Sequence, residues 1–353
     1  MDLRHNGHKL LYHLPRVVRW QKGERIPPLH VELGTGPKCN SGCVYCFTSF
    51  QQKKAGRLMD RQTLLHVMEA CGRGQVRSVA ILGDGEPTLH PDLAEAVALG
   101  AQQGLDIGMG SNGILLDEAL ARRLLPHLVW IRFTVSAATA ETYQKVHQGQ
   151  PGEFEQVIDN MRRAVEIKRQ EGLAVTIGSQ TILTPENLPE VVVAAQLNRS
   201  LGVDYLALKQ ASLSPQNAFH IDYETYEAAK PLLEEAESFG TEQFKVMVSW
   251  NKLLSHGKKG YGKCRGWMFL WHVVGSGDVY PCSELVGREE YHLGNLGRQS
   301  VQEILESDQY GRVAEAMDTL LNMDEECAVC CRHDAINAFL WELEQRPEHI
   351  NFI

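Results

Sequence analysis

Two hydrophobic patterns alternate along the chain from Leu29 onward. Short runs rich in β-branched residues predict strands, and they fall near residues 29–35, 76–82, 105–110, 128–136, 174–183 and 203–209. Stretches with helical periodicity separate them, at 59–72, 92–103, 116–125, 153–171 and 187–200. Repeated strand–helix units are typical of a parallel sheet covered by helices. The pattern therefore predicts an α/β fold, a partial (β/α)6 TIM-like barrel.

The regions outside these repeats have a different character. Residues 1–28 are polar, and we expect an N-terminal extension with one short helix at 15–22. After the barrel at 29–210 we expect a connecting helical segment at 211–263. The last region, 264–353, predicts a small module with a hairpin and a C-terminal helix, because two short apolar runs, 271–274 and 279–281, flank a glycine-containing turn.

Composition narrows the classes of protein. The 353 residues are 43% hydrophobic and 22% charged, as in ordinary globular proteins. A formal charge of -9 argues against a nucleic-acid partner, since phosphate binding usually needs a basic surplus. No apolar run reaches the roughly 20 residues that cross a bilayer, and the first residues do not open a signal peptide. We expect a cytoplasmic protein without a membrane partner, whose nine cysteines serve as ligands, catalysts or core residues rather than disulfides.

Three cysteines, Cys39, Cys43 and Cys46, lie in one short segment after the first predicted strand. Their C-x3-C-x2-C spacing lets three thiolates hold a four-iron cluster and leaves one iron without a protein ligand. Zinc and a chance group of buried cysteines are the alternatives, although zinc normally takes a fourth ligand close by, and residues 47–49 supply none. In parallel α/β folds the loops at the carboxyl ends of strands carry function, and this segment is such a loop.

Polar and glycine-rich segments follow the next predicted strands. The second strand ends in Gly83-Asp84-Gly85-Glu86-Pro87, where Gly85 allows close backbone approach and Glu86 can accept hydrogen bonds from an ammonium group. A simple turn before a helix explains this segment equally well. The third strand runs into Ser111-Asn112-Gly113 and the fourth into Ser136, small polar groups that suit a ribose or carboxylate but also form turns and caps.

Together the cysteine loop and the strand-end segments over residues 29–209 resemble the radical S-adenosylmethionine (SAM) superfamily. Tyr45 matches an aromatic residue common before the third cysteine, whereas Gly83-Asp84 departs from the usual glycine pair of the Gly-Gly-Glu-Pro segment. The resemblance implies that the three cysteines hold a [4Fe-4S] cluster whose open iron is chelated by SAM. Reductive cleavage of SAM would then give a 5'-deoxyadenosyl radical that removes a substrate hydrogen atom.

The resemblance also implies contacts to the cofactor. Glu86 would hold the methionine ammonium group, with Gly85 beside it, and Tyr45 would pack near adenine. Four further positions would line the sulfonium and the ribose: Ser111, Asn112, Ser136, and Gln180 or Thr181.

A second cysteine set lies in the C-terminal third. Cys264 and Cys282 flank the predicted hairpin, and Cys327 and Cys330 form a C-x2-C pair further on. Two separated pairs can enclose an iron–sulfur cluster or a structural zinc ion. The region resembles the SPASM module and its shortened twitch form, and it has too few cysteines for the two clusters of the full module. The arrangement resembles that of dehydrogenases of the 2-deoxy-scyllo-inosamine type. This resemblance implies one auxiliary [4Fe-4S] cluster that transfers electrons.

Two further residues bear on the choice of reaction. Lys209, at the end of the sixth strand, is a candidate base for a hydroxyl proton, or a lysine that contacts substrate or solvent. Cys331, next to Cys330, is a candidate hydrogen-atom donor, a replacement ligand or a packing residue. The first hypothesis is therefore oxidation of a carbinol in a sugar or aminocyclitol-like metabolite. The alternatives are a radical epimerase that uses Cys331, acting on a saccharide or peptide residue, and a ribosomal-peptide maturase.

Partners follow from the same resemblance. Radical SAM chemistry needs an external electron donor such as flavodoxin or ferredoxin, together with a small-molecule or peptide substrate. A zinc-stabilised interaction protein is the non-enzymatic alternative, but it gives no reason for the polar segments at successive strand ends.

Overall fold

All six predicted strands are present, and they pair in parallel in chain order. The computed structural model describes residues 7–49, 57–216, 218–255, 257–329, 331–346 and 348–352. The six strands are β1 (His30–Leu33), β2 (Ser78–Ile81), β3 (Asp106–Ser111), β4 (Trp130–Thr134), β5 (Thr176–Leu183) and β6 (Tyr205–Gln210). Parallel pairing brings their carboxyl ends to one edge of the sheet, where the polar loops meet.

The sheet continues beyond both ends of this set. At one edge β7 (Lys245–Val248) pairs in parallel with β6, so the segment at 211–263 contributes a strand as well as helices. At the other edge β8 (Leu270–Val273) pairs in parallel with β1, and β9 (Asp278–Tyr280) and β10 (Gly294–Asn295) follow antiparallel. Within the described residues the order is β10-β9-β8-β1-β2-β3-β4-β5-β6-β7.

The helices cover one face of this sheet. Those within the described residues are α1 (Leu14–Gln21), α2 (Arg61–Arg73), α3 (Leu93–Gln102), α4 (Glu118–Leu124), α5 (Ala140–His147), α6 (Glu153–Glu171), α7 (Val191–Leu201), α8 (Tyr223–Ala228), α9 (Lys230–Ser238), α10 (Trp250–Leu254), α11 (Val301–Glu306), α12 (Asp308–Thr319), α13 (Met323–Glu326) and α14 (Asp334–Gln345). The one helix expected before the barrel and the five expected within it are among them. None of the described helices combines the length and apolar character needed to span a membrane.

Alternation along the strands decides which side chains reach the interior. Val31 and Leu33 of β1, like Leu206 and Leu208 of β6, are fully buried in the core between sheet and helices. Because successive strand residues point to opposite faces, the positions between them face the barrel interior. This inner face carries charged and polar side chains: Glu32, Arg132, Gln180, Tyr205, Lys209 and His272.

The two ends of the chain pack on each other. A short 3-10 helix at Gly7–His13 and α1 place Leu10, Val17 and Trp20 against Leu340 of α14 in a small apolar cluster. The terminal helix therefore packs against the N-terminal extension.

Candidate active site

The loop after β1 is attached to the loops that follow β2 and β3. The carbonyl of Lys38 accepts a hydrogen bond from the backbone N–H of Glu86 at 2.9 Å. Nδ2 of Asn112 donates to Oδ1 of Asn40, within the cysteine loop, at 2.7 Å. Three strand ends thus hold the cysteine-bearing loop in one position, as the sequence predicts for a site at this edge of the sheet.

Gly85 is required by the approach of the cysteine loop. A Cβ atom at this position would collide with the carbonyl oxygens of Lys38 and Gly36. The close approach predicted for Gly85 is therefore made by backbone of the chain itself.

Substitution of Gly85 by alanine is expected to displace the cysteine loop. Overpacking against backbone costs about 1–3 kcal/mol, so the free energy of unfolding should fall by that amount and iron loading should fall with it. Denaturant unfolding and iron analysis measure both. Gly260 is the matched control, because open space surrounds its Cα, and Gly260→Ala should stay within about 0.5 kcal/mol of the unmodified protein. Equal losses in both variants would contradict the steric explanation.

Glu86 joins the second strand end to the third. Its Oε1 accepts hydrogen bonds from the backbone and hydroxyl of Thr88 at 3.0 and 2.6 Å and from Ser111 Oγ at 2.8 Å, and its Oε2 accepts from the backbone of Asn112 at 2.8 Å. Burial raises the pKa of Glu86, and these hydrogen bonds partly offset the effect. A carboxylate offers roughly four lone-pair positions on its two oxygens. Because three donors are on Oε1 and only one is on Oε2, Oε2 keeps an acceptor position for an ammonium group.

Tyr45 and Ser136 contact each other. The hydroxyl of Ser136 donates to Tyr45 Oη at 2.8 Å and accepts the N–H of Ile182 at 2.9 Å. Both side chains are buried. Ser136 thus ties the cysteine loop to the ends of β4 and β5, and its hydroxyl is already engaged within the protein.

The thiol of Cys43 has a histidine neighbour that the sequence did not indicate. Nδ1 of His147, the last residue of α5, lies 3.1 Å from Cys43 Sγ. Burial raises the pKa of Cys43 to about 11 and lowers that of His147 to about 3. A buried thiol becomes a ligand only when a nearby positive charge stabilises its thiolate. Three thiols in one loop provide the donor set that an iron–sulfur cluster requires.

Charged side chains converge inside the barrel. Arg332 forms an ion pair with Glu32 of β1. His272 of β8 lies with Nε2 3.3 Å from Asp84 Oδ1. Burial lowers the pKa of His272. The hydrogen bond with Asp84 and the charge of Asp84 raise it, and on balance the pKa lies above its usual value. Asp84 stands where the usual segment has its second glycine. It is fully buried and connects the loop after β2 to β8.

Lys209 faces this interior from β6 without an acidic partner. Within the part of the chain that the structure describes, its ammonium group makes no hydrogen bond or ion pair, and the charges of Arg132, Arg332 and Lys252 act on it. Burial and these three cations lower the pKa of Lys209 well below its usual value of 10.5. A lysine in such surroundings is driven toward its neutral, basic form.

The C-terminal cysteines gather at one end of α14. Asn337 of this helix donates from Nδ2 to Cys264 Sγ at 3.5 Å, and its Oδ1 accepts the N–H groups of Arg265 and Gly266 at 2.7 and 2.6 Å. Gly277 turns the β8–β9 hairpin with φ +84°, a conformation that favours glycine, and Cys282 follows β9. The hairpin expected between Cys264 and Cys282 is present.

The charges of these thiols affect one another's pKa. Burial raises the pKa of Cys282 well above its usual range, and the charges of Cys264 and Cys327 raise it further. Burial and Cys264 likewise raise the pKa of Cys327 to about 12. Cys331 is affected in the same way by Cys282 and Cys264. Cys330, the predicted fourth ligand, lies outside the described residues.

Four residues make contacts at the site that the sequence does not predict. Asn40, Asp84, His147 and His272 come from four separate segments and meet only in the folded chain. Asp84 alone was visible, as a departure from the expected glycine. The other three become meaningful only through their contacts.

Comparison with known families agrees with this arrangement. Residues 33–197 match the model of the radical SAM superfamily, and residues 264–331 match that of SPASM, an iron–sulfur cluster-binding domain. These matches run from the last residue of β1 through β5 and cover the region of the C-terminal cysteines.

Relatives extend the likeness over most of the chain. An AdoMet-dependent heme synthase of Methanosarcina barkeri is 26% identical over an alignment 367 positions long, which covers 94% of this chain and 95% of that protein. A tungsten-containing aldehyde ferredoxin oxidoreductase cofactor-modifying protein of Pyrococcus furiosus is 22% identical. That alignment covers 80% of this chain and 81% of the relative.

Solved structures share the fold. Streptococcus suis SuiB bound to S-adenosylmethionine superposes with a TM-score of 0.64 at 13% identity, covering 88% of this chain and 72% of SuiB. Native anSMEcpe with bound AdoMet gives a TM-score of 0.61 at 18% identity, covering 90% and 95%.

The barrel and the two family matches define a radical SAM superfamily enzyme. Its C-terminal region is a SPASM domain. The predicted fold class is confirmed, and so are the cofactor classes: the first domain implies a [4Fe-4S] cluster with SAM, and the second implies auxiliary iron–sulfur clusters. The number of auxiliary clusters, the individual ligands and the electron donor stay predictions.

Proposed function

We propose that the enzyme oxidises a carbinol carbon of a sugar or aminocyclitol-like metabolite to a carbonyl. When bound, the cofactors supply a 5'-deoxyadenosyl radical, which takes the hydrogen atom from the carbinol carbon, and an auxiliary [4Fe-4S] cluster, which takes the remaining electron. The hydroxyl proton goes to Lys209, so that two hydrogens leave the substrate and the electrons balance. The observation that carries this proposal is a lysine driven toward its neutral form on the inner face of the barrel.

The interior gives Lys209 the properties of a general base. A base must be unprotonated before it accepts a proton, and an ordinary lysine is not. Burial with Arg132 and Arg332 nearby destabilises the ammonium form, which lowers the pKa. After proton transfer the new ammonium faces the same repulsion, which favours release of the proton to solvent at the end of turnover.

We propose Cys39, Cys43 and Cys46 as ligands of the core cluster, with SAM at the open iron. Glu86 would accept the SAM ammonium group at Oε2, which has a single donor, the backbone N–H of Asn112. Asn112 would keep the cysteine loop in position through Asn40. In this arrangement the hydrogen bonds among the three strand ends orient the loop before SAM binds, which reduces the cost of ordering it.

For the auxiliary cluster we propose Cys264, Cys282 and Cys327, with Cys330 or Cys331 as the fourth ligand. Burial and the charges of Asp334, Cys282 and Cys264 raise the pKa of Cys331, so its thiol interacts electrostatically with two of the proposed ligands. A ligated Cys331 would have no free thiol to donate a hydrogen atom, which favours oxidation over epimerisation.

The pH dependence of turnover tests the role of Lys209. The group with a lowered pKa is protonated below that pKa and neutral above it, so the rate of product formation should rise with pH and level off well below pH 10.5. Lys209→Met should lower this rate by about 100-fold or more while the protein still cleaves SAM. The charged control is Lys230→Met, because Lys230 is exposed at the start of α9. A Lys209→Met variant with normal turnover would contradict the proposal.

Product mass separates oxidation from epimerisation. Oxidation removes two hydrogens from the substrate, whereas epimerisation leaves the mass unchanged in ordinary water and brings in one deuterium from heavy water. An unchanged product mass together with deuterium uptake would refute oxidation and favour the thiol donor Cys331.

A second candidate is a reaction on a carboxylate-bearing tetrapyrrole. The Methanosarcina barkeri relative matched over nearly its whole length is named a heme synthase, and hemes carry carboxylate side chains. Arg132, Arg332 and Lys209 on the inner face could receive such groups. Formation of 5'-deoxyadenosine stimulated by an anionic porphyrin, but not by a neutral aminocyclitol, would favour this candidate over carbinol oxidation.

A further inference from the structure

The ring of His147 connects the cysteine loop to the end of β4. Its Nδ1 lies 3.1 Å from the sulfur of Cys43, and its Nε2 lies 2.8 Å from the backbone nitrogen of Ser136. Both distances are in the range of hydrogen bonds. The two ring nitrogens are therefore both engaged, one with the cysteine loop and one with the strand end.

These contacts determine which nitrogen carries the proton. A backbone N–H can only donate, so Nε2 must accept from Ser136 and carries no proton itself. The proton of the imidazole then lies on Nδ1, where it is directed at Cys43 Sγ. We assign this contact as an N–H···S hydrogen bond in which His147 is the donor.

The ring is held in this orientation from several sides. It is fully buried, and it stacks on Tyr143 with 4.5 Å between ring centroids and 21° between the planes. Its backbone carbonyl accepts hydrogen bonds from the N–H of Gly42 at 3.0 Å and from Ser41 Oγ at 3.1 Å. Ser41 also lies 3.3 Å from Cys43 Sγ, but its single proton can serve only one of these acceptors at a time.

We propose that His147 is a positioning residue that raises the reduction potential of the core cluster through this hydrogen bond to Cys43. The inference rests on the proposed ligand role of Cys43. Hydrogen bonds to cluster sulfurs are among the factors that set the potential. A donor stabilises the more negative, reduced state more than the oxidised one, so its loss makes one-electron reduction less favourable.

The midpoint potential of the SAM-sensitive cluster signal tests this role. In the reconstituted full-length protein, an electron paramagnetic resonance titration should show reduction of His147→Phe to be about tenfold less favourable, which is about 59 mV for a one-electron couple. Iron content should not change, because phenylalanine keeps the stacked ring. The matched variant is His147→Asn, whose amide nitrogen occupies the place of Nδ1 and should keep the potential of the unmodified protein.

The outcomes are distinguishable. A His147→Phe protein with full iron content and an unchanged potential would overturn the proposal, as would equal shifts in the phenylalanine and asparagine variants. If His147→Phe does not load iron, His147→Met serves as the second donor-free variant, since methionine adapts its shape to irregular space and should show the same lowered potential. Persistence of the SAM-sensitive signal in Cys43→Ala would instead refute the ligand assignment of Cys43.

Discussion

Replacement of Cys43 with alanine is expected to abolish formation of 5'-deoxyadenosine. SAM cleavage requires an electron from the core cluster, and two remaining cysteines cannot hold a four-iron cluster with one open iron. The product should fall below detection in a chromatographic assay with SAM and a chemical reductant. Iron content should fall from about eight to about four per chain, the number expected for one remaining [4Fe-4S] cluster.

Cys71 provides the matched control for this variant. It is fully buried in α2, within the core between sheet and helices, and it lies outside the proposed ligand sets. Cys71→Ala also removes one sulfur, but it should keep full iron content and continue to produce 5'-deoxyadenosine. Continued production by Cys43→Ala, or loss of iron from Cys71→Ala alone, would refute the assignment of the core ligands.

Replacement of Cys282 with alanine is expected to separate SAM cleavage from substrate oxidation. The auxiliary site would lose one of its four thiolates, so iron should again fall to about four per chain. Because β9 runs antiparallel to β8 and β8 runs parallel to β1, Cys282 follows β9 at the opposite edge of the sheet from the core loop, and 5'-deoxyadenosine should still form. The oxidised product should not, because the substrate radical would lack its electron acceptor.

Metal analysis provides the opposing outcome. About four irons with zinc in the unmodified protein would mean that the C-terminal cysteines hold a structural zinc ion, and the electron-transfer role would be wrong. Separate Cys330→Ala and Cys331→Ala variants then identify the fourth ligand, because only the variant that removes a ligand should lose iron. Loss of iron from Cys331→Ala alone would identify Cys331 as the fourth ligand.

The strands and the principal helices of the barrel could be predicted because their signals are local. Alternating runs such as Val31–Leu33 and the helical periodicity of α6 depend only on which face each residue buries. The strand β7, Lys245–Val248, was missed, although β1 and β2 are equally short. Pairing with β6 makes this segment a strand, and pairing is not a local property.

The parts of the candidate site that lie within one segment of the chain could be predicted. The contacts between segments could not. The cysteine loop can be recognised from the spacing of its three cysteines, whereas His147 reaches Cys43 only because α5 ends beside that loop. Glu86 was identified from its neighbours in the sequence, but its hydrogen bonds from Ser111 and Asn112 were not, because these two residues come from the next strand end. Their contacts depend on parallel pairing of β2 with β3.

Pairing of β8 with β1 has a consequence for any attempt to divide the protein. His30 to Leu33 lie in register with Leu270 to Val273, so the C-terminal region supplies the neighbour on one side of the first barrel strand. A chain ending before β8 would leave that strand with a row of unpaired backbone groups, the kind of edge that recruits other chains and aggregates. The two family modules therefore share one continuous sheet, and a shortened barrel is an unsuitable starting point for engineering this enzyme.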